Sequence, residues 1–245
     1  MTTKDLFSSH ASQYAAFRPD YPKALYDFIF SHVQDFSTAW DCATGNGQAA
    51  KELASRFNKV YATDISDKQM ANGFQSENIF YSVSPAEQTS FANGMFNLIT
   101  VAQAAHWLNL DQFYREVNRV ARPGCVVAIW GYGLLSVNLR FDAQLLAFYK
   151  DIVGPYWDPE RKLIDSAYQT IPFPFHEIQS PAFSFTKRWH VDHLEGYLNT
   201  WSAVQKYIKA KGNNPVENLI KENGNAFGAG AQEVKFPLFL RLGLV

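Results

Sequence analysis

A glycine-containing loop with an acidic residue beyond it is the first group in this sequence that could do chemistry. Gly45 and Gly47 stand between a β-rich run at 38–42 and a helical pattern that starts at Gln48. Glycines at such a turn let a ligand approach the backbone, and the free amides of a helix N-terminus favour anionic groups. Asp64 ends the next β-rich run, where a carboxylate can accept hydrogen bonds from both ribose hydroxyls. This pattern predicts a pocket for a nucleotide-type ligand.

Two cofactor classes are compatible with the loop. Gly45, Gly47 and Ala50 satisfy the loose dinucleotide pattern G-x-G-x-x-G/A, which leaves an NAD(P)-dependent oxidoreductase open. Asp41 favours another class of cofactor. Its negative charge, at the end of the first strand, would lie unfavourably close to the negatively charged pyrophosphate of NAD. The same charge suits a ligand with an ammonium and a sulfonium group. The residues therefore favour an S-adenosylmethionine site, and a turn shaped only by packing is the structural alternative.

The elements that must position these residues alternate along the central part of the chain. Helical patterns separate β-rich runs at 38–42, 59–65, 78–83, 96–103 and 125–132. Such alternation is typical of a parallel sheet covered by helices on both faces. Ser66 with Gln69, and Asn109 with Gln112, form capping-box patterns at two helix starts. The helix after Asn109 is expected to end before Pro123.

One domain covering 1–245 is predicted, with additions on both sides of a central core. Its parts are an N-terminal helical lid at 1–35, a cofactor-binding core at 36–135, a cap or insertion at 136–215, and late edge strands at 182–191 and 235–245 that pair antiparallel. Within 5–33, Pro19 and Pro22 separate two predicted helices.

The composition excludes several classes of function. The 22 basic and 23 acidic side chains give a net charge of −1, so no strong field is available to hold nucleic acid or an anionic membrane. No apolar stretch approaches the roughly 20 residues that span a bilayer, and the N-terminus lacks the apolar region of a signal peptide. Cys42 and Cys125 form no metal-binding pattern. The sequence predicts a cytoplasmic protein that acts on a small molecule, with no metal.

Further motifs give a family resemblance. The chain resembles class I S-adenosylmethionine-dependent methyltransferases through D-x-x-x-G-x-G at 41–47, VYATDIS at 60–66, SPAEQTSF at 84–91, FNLITVAQAAHW at 96–107 and REVNRVARPG at 115–124. It is similar to the small-molecule group that includes trans-aconitate methyltransferase through RPDYP at 18–22, AQAAHW at 102–107 and YLNTWSAVQKY at 197–207. The resemblance implies a Rossmann-like methyltransferase fold, which is α/β and doubly wound around a mostly parallel, seven-stranded sheet.

The resemblance also implies roles for individual residues. The methionine part of the cofactor would be held by Asp41, by the backbone around Ala43, Gly45 and Gly47, and beside Gln103. The adenosine part would be held by Asp64, Ile65, Met70, Ala86 and Glu87, while Tyr14 and Arg18 would close over the cofactor, with Arg18 near a carboxylate. Ala43 stands where many members have glycine.

The acceptor end of the site is expected beyond the fourth strand. His106 follows that strand and is predicted either to orient or deprotonate the acceptor, or to cap the helix that starts after Asn109. Trp107, Tyr132 and Trp201 either form the walls of the acceptor pocket or pack in the core. The predicted activity is O-methylation of an organic acid. A non-catalytic cofactor-binding module with a protein partner stays open beside the oxidoreductase.

Two further groups of charged residues are not predicted to take part in the chemistry. Asp158 and Glu160 flank Pro159 and are predicted to form a solvated turn. The lysines at 206, 209 and 211 are predicted to lie on the exposed face of a helix.

Overall fold

The β-rich runs form strands of one sheet. The computed structural model describes residues 16–245. Within this range the strands are β1 (Thr38–Cys42), β2 (Lys59–Asp64), β3 (Ile79–Val83), β4 (Phe96–Ala102), β5 (Ala121–Tyr132), β6 (His176–Ile178), β7 (Phe183–Trp189) and β8 (Gln232–Leu244). Their order in the sheet is β3-β2-β1-β4-β5-β8-β6, and β7 also pairs with β8.

Helices connect the strands and cover the sheet. Those in the described range are α1 (Lys23–Phe30), α2 (Gln48–Ala54), α3 (Asp67–Met70), α4 (Leu110–Val120), α5 (Leu139–Ala147), α6 (Arg161–Asp165), α7 (Val191–Asn199), α8 (Ser202–Lys211) and α9 (Pro215–Phe227). Short 3-10 or π turns cover Ala105–Trp107, Phe148–Ile152 and Gly154–Tyr156. Of the two helices predicted within 5–33, the second is α1, and the first lies largely outside the described residues.

The core has the form predicted for a doubly wound α/β fold, a parallel sheet with a hydrophobic cluster on each face. β1 to β5 are parallel, and β8 is antiparallel to β5. Successive residues of the central strands enter opposite hydrophobic clusters, as Leu98 and Ile99 do in β4. Strands buried on both faces read as continuous apolar runs, which explains why β4 and β5 were recognisable in the sequence.

The sheet has eight strands in the described range, where the resemblance implies seven. The additional strand is possible because β8 is long: its 13 residues pair with two short strands, one after the other. One side of β8 pairs with β5 through 238–244, while its other side pairs with β7 through 232–238 and with β6 through 242–244. The prediction that 182–191 contributes an antiparallel strand is confirmed. The prediction that 235–245 forms an edge strand is wrong, because β8 lies inside the sheet.

The predicted capping residues position two helix starts near the carboxyl ends of the strands. Ser66 Oγ accepts a hydrogen bond from Gln69 N at the start of α3, and Asn109 Oδ1 accepts one from Gln112 N at the start of α4. α4 ends at Val120, where the chain passes directly into β5. The N-cap half of each predicted capping box is confirmed. The reciprocal bond is not, because Ser66 N donates to Asp64 Oδ1 and Asn109 N donates to Glu87 Oε1.

Candidate functional site

A cleft opens at the carboxyl ends of β1, β2 and β4, the edge where ligands bind in open α/β sheets. The predicted site residues that line it are Arg18, Ala43, Gly45, Asp64, Ile65, Ala86, Glu87, Gln103, His106, Trp107 and Trp201. Four others, Asp41, Gly47, Met70 and Tyr132, lie outside its lining. Tyr14 lies outside the described residues.

The loop between β1 and α2 has a left-handed backbone at three positions. The φ angles are 54° at Ala43, 57° at Gly45 and 76° at Gly47. A Cβ at Gly45 would meet no atom within 4 Å, so the cleft is open beside its backbone. A Cβ at Gly47 would lie only 2.2 Å from Tyr81 Oη. The absence of a side chain at Gly45 therefore leaves room for a ligand beside the backbone. Gly47 was predicted as a cofactor contact, but its missing side chain lets the start of α2 pack against β3.

Asp41 lies beneath the glycine loop, inside the protein, and holds the loop by hydrogen bonds instead of lining the cleft. Its carboxylate is fully buried and accepts hydrogen bonds from Thr44 Oγ1 (2.5 Å), Thr100 Oγ1 (2.8 Å) and Ala50 N (3.0 Å). Burial raises the pKa of Asp41 to about 6, although these hydrogen bonds act in the opposite direction. The predicted contact between Asp41 and the methionine part of a cofactor is corrected, because its oxygens are engaged by the loop, α2 and β4.

Asp64 joins the glycine loop to the start of α3. Its Oδ2 accepts a hydrogen bond from Gly45 N at 2.8 Å, and its Oδ1 accepts one from Ser66 N at 2.9 Å. Its place in the cleft lining agrees with the prediction of a ribose-binding acid.

The next part of the cleft contains a residue that the sequence argument missed. Ile65, Ala86 and Glu87 line it as predicted, but Met70 lies outside the lining and Gln69 lies within it. Gln69 is buried, and its Oε1 has no hydrogen-bond partner in the described range. The capping-box pattern had placed the Gln69 side chain at the start of α3 and not in the cleft. An amide oxygen that is buried without a partner can accept a hydrogen bond from any N–H group that reaches it.

Gln103 and Tyr132 link the ends of β4 and β5. Gln103 Oε1 accepts from Tyr132 N at 2.7 Å, and Gln103 Nε2 donates to Tyr132 O at 3.2 Å. Tyr132, predicted as a pocket wall, lies outside the lining because its phenol is covered by the N-terminal segment. Arg18 Nη1 donates to Tyr132 Oη at 2.8 Å, and Arg18 Nη2 donates to Thr200 O at 3.3 Å. Gln103 therefore shapes the cleft wall mainly through the backbone it holds.

The far end of the cleft has an arginine that the sequence argument did not single out. Arg161 lines the cleft together with Trp157 and Trp201. Its guanidinium carbon lies 4.6 Å from the Trp157 ring centre and 5.3 Å from that of Tyr149, and its Nε donates to Tyr149 Oη at 2.8 Å. The aromatic rings hold the cation in place, and its charge faces the same region as His106.

Asp158 is part of this end, not of a solvated turn. It is 7% exposed, lines the cleft, and its Oδ2 lies 2.5 Å from Lys206 Nζ. The ion pair joins the segment before α6 to α8. Lys206 is accordingly not on the exposed face predicted for it, whereas Lys209 and Lys211 are exposed. The sequence had no local pattern for this pair, because its members are far apart in the chain.

His106 faces the cleft from the turn after β4. It is 7% exposed, and its Nδ1 lies 2.8 Å from Tyr168 Oη. Burial, assisted by the positive charge of Arg161, lowers the pKa of His106 to about 3, so the ring is neutral at physiological pH. The start of α4 is capped by Asn109 and not by His106. The capping role proposed for His106 is therefore wrong.

Comparisons with known proteins agree with this architecture. Residues 40–129 match a family described as a methyltransferase domain. A proposed methyltransferase of Dictyostelium discoideum is 37% identical over 97% of this chain and 94% of its own length. The chain belongs to the class I S-adenosylmethionine-dependent methyltransferases.

Two further proteins similar to this methyltransferase are a solved bacterial structure and a yeast protein. A solved structure of a proposed type II methyltransferase from Anaeromyxobacter dehalogenans superposes with a TM-score of 0.85 at 36% identity, covering 93% of this chain and 98% of that one. A Saccharomyces cerevisiae protein described as an S-adenosylmethionine-dependent methyltransferase is 25% identical over 66% of this chain and 59% of its own. Between residues 16 and 245, the methyltransferase has no cluster of three metal-ligating side chains. No helix in that range has the length and apolar character needed to cross a membrane.

Proposed function

We propose that this methyltransferase transfers a methyl group from S-adenosylmethionine to a carboxylate oxygen of a small organic acid. The observation that carries the proposal is a single cleft lined both by the Gly45 loop and Asp64 and by Arg161 and tryptophan rings. The description of the yeast relative supports the cofactor. The resemblance to carboxyl methyltransferases supports the acceptor.

The residues at the cofactor end suit S-adenosylmethionine. The open space beside Gly45 admits a ligand to the backbone, and the Asp64 carboxylate can accept from ribose hydroxyls. The unpaired Oε1 of Gln69 can accept from the adenine amino group. When bound, the cofactor supplies a methyl group carried on a positively charged sulfur atom. Asp41 contributes by fixing the loop, and Arg18 covers the cleft from the N-terminal side.

The residues at the acceptor end suit an anion. Arg161 presents a planar set of N–H donors that suits a carboxylate. Trp107, Trp157 and Trp201 exclude water and pack against the carbon skeleton of the acceptor. A carboxylate with a pKa of about 4 is already ionised at neutral pH, so it needs no base.

The test uses the purified protein, methyl-labelled S-adenosylmethionine, and a panel of mono-, di- and tricarboxylic acids with amines and phenols of similar size. Label is expected to enter an acid as a methyl ester. Mild base then releases that label as volatile methanol, which ethers and N-methyl groups do not do. Base-stable product from an amine or phenol would contradict the acceptor class. Cofactor binding without transfer to any panel member or cell extract would favour the non-catalytic module.

Variants at the acceptor end test the role of the cation. Arg161→Gln is expected to raise the acceptor KM by about 10- to 100-fold, the scale of a lost charge-assisted hydrogen bond. Cofactor affinity should change little, because Arg161 lies at the far end of the cleft. The matched control is Lys162→Gln, which removes an exposed charge from the next position. Equal KM values in the two variants would remove Arg161 from the acceptor site.

A further inference from the structure

Tyr168 has an unusual backbone for a large side chain. Ala167 and Tyr168 follow α6 with φ angles of 51° and 57°, in the left-handed region that β-carbons disfavour. The Tyr168 side chain is nonetheless fully buried, with its ring centre 5.0 Å from that of Phe239. Backbone strain of this kind persists only where the surroundings determine it, and it is concentrated at functional sites. The strained turn places the hydroxyl group of Tyr168 in contact with His106.

The surroundings of Tyr168 Oη decide the direction of that hydrogen bond. Oη lies 2.8 Å from His106 Nδ1. Tyr168 is fully buried, and His106 Nδ1 is the one hydrogen-bond partner of Oη within residues 16–245. If Nδ1 donated the proton, the buried phenol O–H would have no acceptor, so the phenol proton is directed to Nδ1. Tyr168 is therefore the donor, and Nδ1 is the acceptor.

This direction fixes the tautomer of His106. A neutral imidazole has one N–H and one acceptor nitrogen, so an accepting Nδ1 places the proton on Nε2. Within residues 16–245, Nε2 makes no hydrogen bond, and His106 lines the cleft beside Trp107. The N–H group is thus available to a ligand at the acceptor end.

We infer that Tyr168 is a positioning residue that holds His106 as an Nε2–H donor toward an acceptor oxygen, and that His106 is not a base. The inference rests on the proposed carboxylate acceptor for its chemistry, although the tautomer itself does not. No proton leaves a carboxylate during methylation, so His106 need not accept one. By binding one carboxylate oxygen, His106 together with Arg161 would orient the acceptor for reaction at the other.

Nitrogen-15 NMR of the histidine side chains tests the tautomer without any acceptor. The His106 signals are identified by their loss in His106→Gln. The wild type is expected to show a neutral ring protonated at Nε2 from pH 5 to 9, and Tyr168→Phe should shift the Nδ1 resonance, because that nitrogen loses its hydrogen-bond donor. Tyr114→Phe is the matched control, because it removes a buried hydroxyl that donates to Pro172 O at 2.7 Å and lies outside the cleft lining.

A ring protonated at Nδ1 in the wild type would overturn the inference, as would an unchanged His106 pattern in folded Tyr168→Phe. A second measurement does not depend on the Tyr168 variant folding. His106→Gln keeps an N–H donor but cannot act as a base, so with an acid that the wild type methylates its kcat should stay within about tenfold. His106→Leu should raise the acceptor KM by about tenfold or more. Equal losses in both variants would overturn the donor role, whereas an acid panel without any substrate would reject the proposed acceptor and leave the NMR result standing.

Discussion

Asp41 and Asp64 end adjacent strands of the same sheet, and their surroundings give them different tasks. Asp41 is enclosed by hydroxyl and amide donors from the loop, α2 and β4, so its oxygens hold these three parts of the protein together. Asp64 accepts hydrogen bonds from the backbone amides of Gly45 and Ser66, and it lines the cleft. Both residues are aspartates near the carboxyl end of a strand, and the difference in their burial gives them different roles.

Replacing Asp64 by Asn should weaken binding of S-adenosylhomocysteine by about 1 to 3 kcal/mol, because charge-assisted hydrogen bonds to the ribose are lost. Titration calorimetry measures the change. Asp67→Asn is the matched control, since it removes an exposed carboxylate from the same turn. An Asp64→Asn affinity equal to that of the control would place Asp64 outside the cofactor site.

The Asp41 carboxyl should make stability depend on pH. Its folded pKa of about 6 is above the ordinary value of 3.8, so stability present at low pH is lost as pH rises through 6. Relative to Asp41→Asn, the wild-type free energy of unfolding should fall by up to about 3 kcal/mol between pH 4 and 7. Urea unfolding at several pH values measures this, with Asp67→Asn as the control. A pH-independent difference between wild type and Asp41→Asn would show that Asp41 titrates alike in both states.

At the level of elements, α4 connects the apolar core to the cleft wall. Phe113, Val117 and Val120 bury one face of the helix. Its start is fixed twice, by the Asn109 side chain and by Glu87 Oε1, which accepts from Asn109 N at 2.8 Å. Glu87 itself lines the cleft, so the position of the helix start and the shape of the cleft are coupled.

Asn109→Ala should lower the free energy of unfolding by about 1 kcal/mol, the usual cost of losing an N-cap side chain. Asn109→Asp should retain most of that stability, since a carboxylate also caps a helix start. Asn118→Ala is the control, because Asn118 is exposed in the same helix and its replacement by a better helix former should not destabilise it. Urea unfolding measures all three variants. A cost in Asn118→Ala as large as that in Asn109→Ala would assign the effect to something other than capping.

At the scale of the whole molecule, the segment around Arg18 joins three distant parts of the chain. Arg18 contacts Tyr132 at the end of β5 and Thr200 between α7 and α8, while Gln48 Nε2 at the start of α2 donates to Arg18 O at 3.3 Å. A ligand in the cleft would therefore contact a segment that already touches both the core and residues 136–215.

Amide hydrogen exchange in residues 1–22 is expected to slow when S-adenosylhomocysteine binds, because lids belong to the less stable parts of a fold and gain order from their ligand. Mass spectrometry of proteolytic peptides measures this. Peptides from β8 serve as the control, since that strand is paired on both sides and should exchange slowly in either state. Equal rates in 1–22 with and without the ligand would mean that the segment does not act as a lid.

The sequence by itself determined the parallel core, the glycine loop, Asp64 and both helix caps, because these depend on local patterns. Apolar alternation, glycine at a strand-to-helix turn and an Asn or Ser before a helix act within a few residues. Only the tertiary structure decided the support role of Asp41, the unpaired oxygen of Gln69, and the acceptor end built from Arg161 and Tyr168. Burial and the meeting of side chains from distant segments leave no periodic pattern in a sequence. The place of β8 inside the sheet was decided in the same way, by which strands its two sides meet.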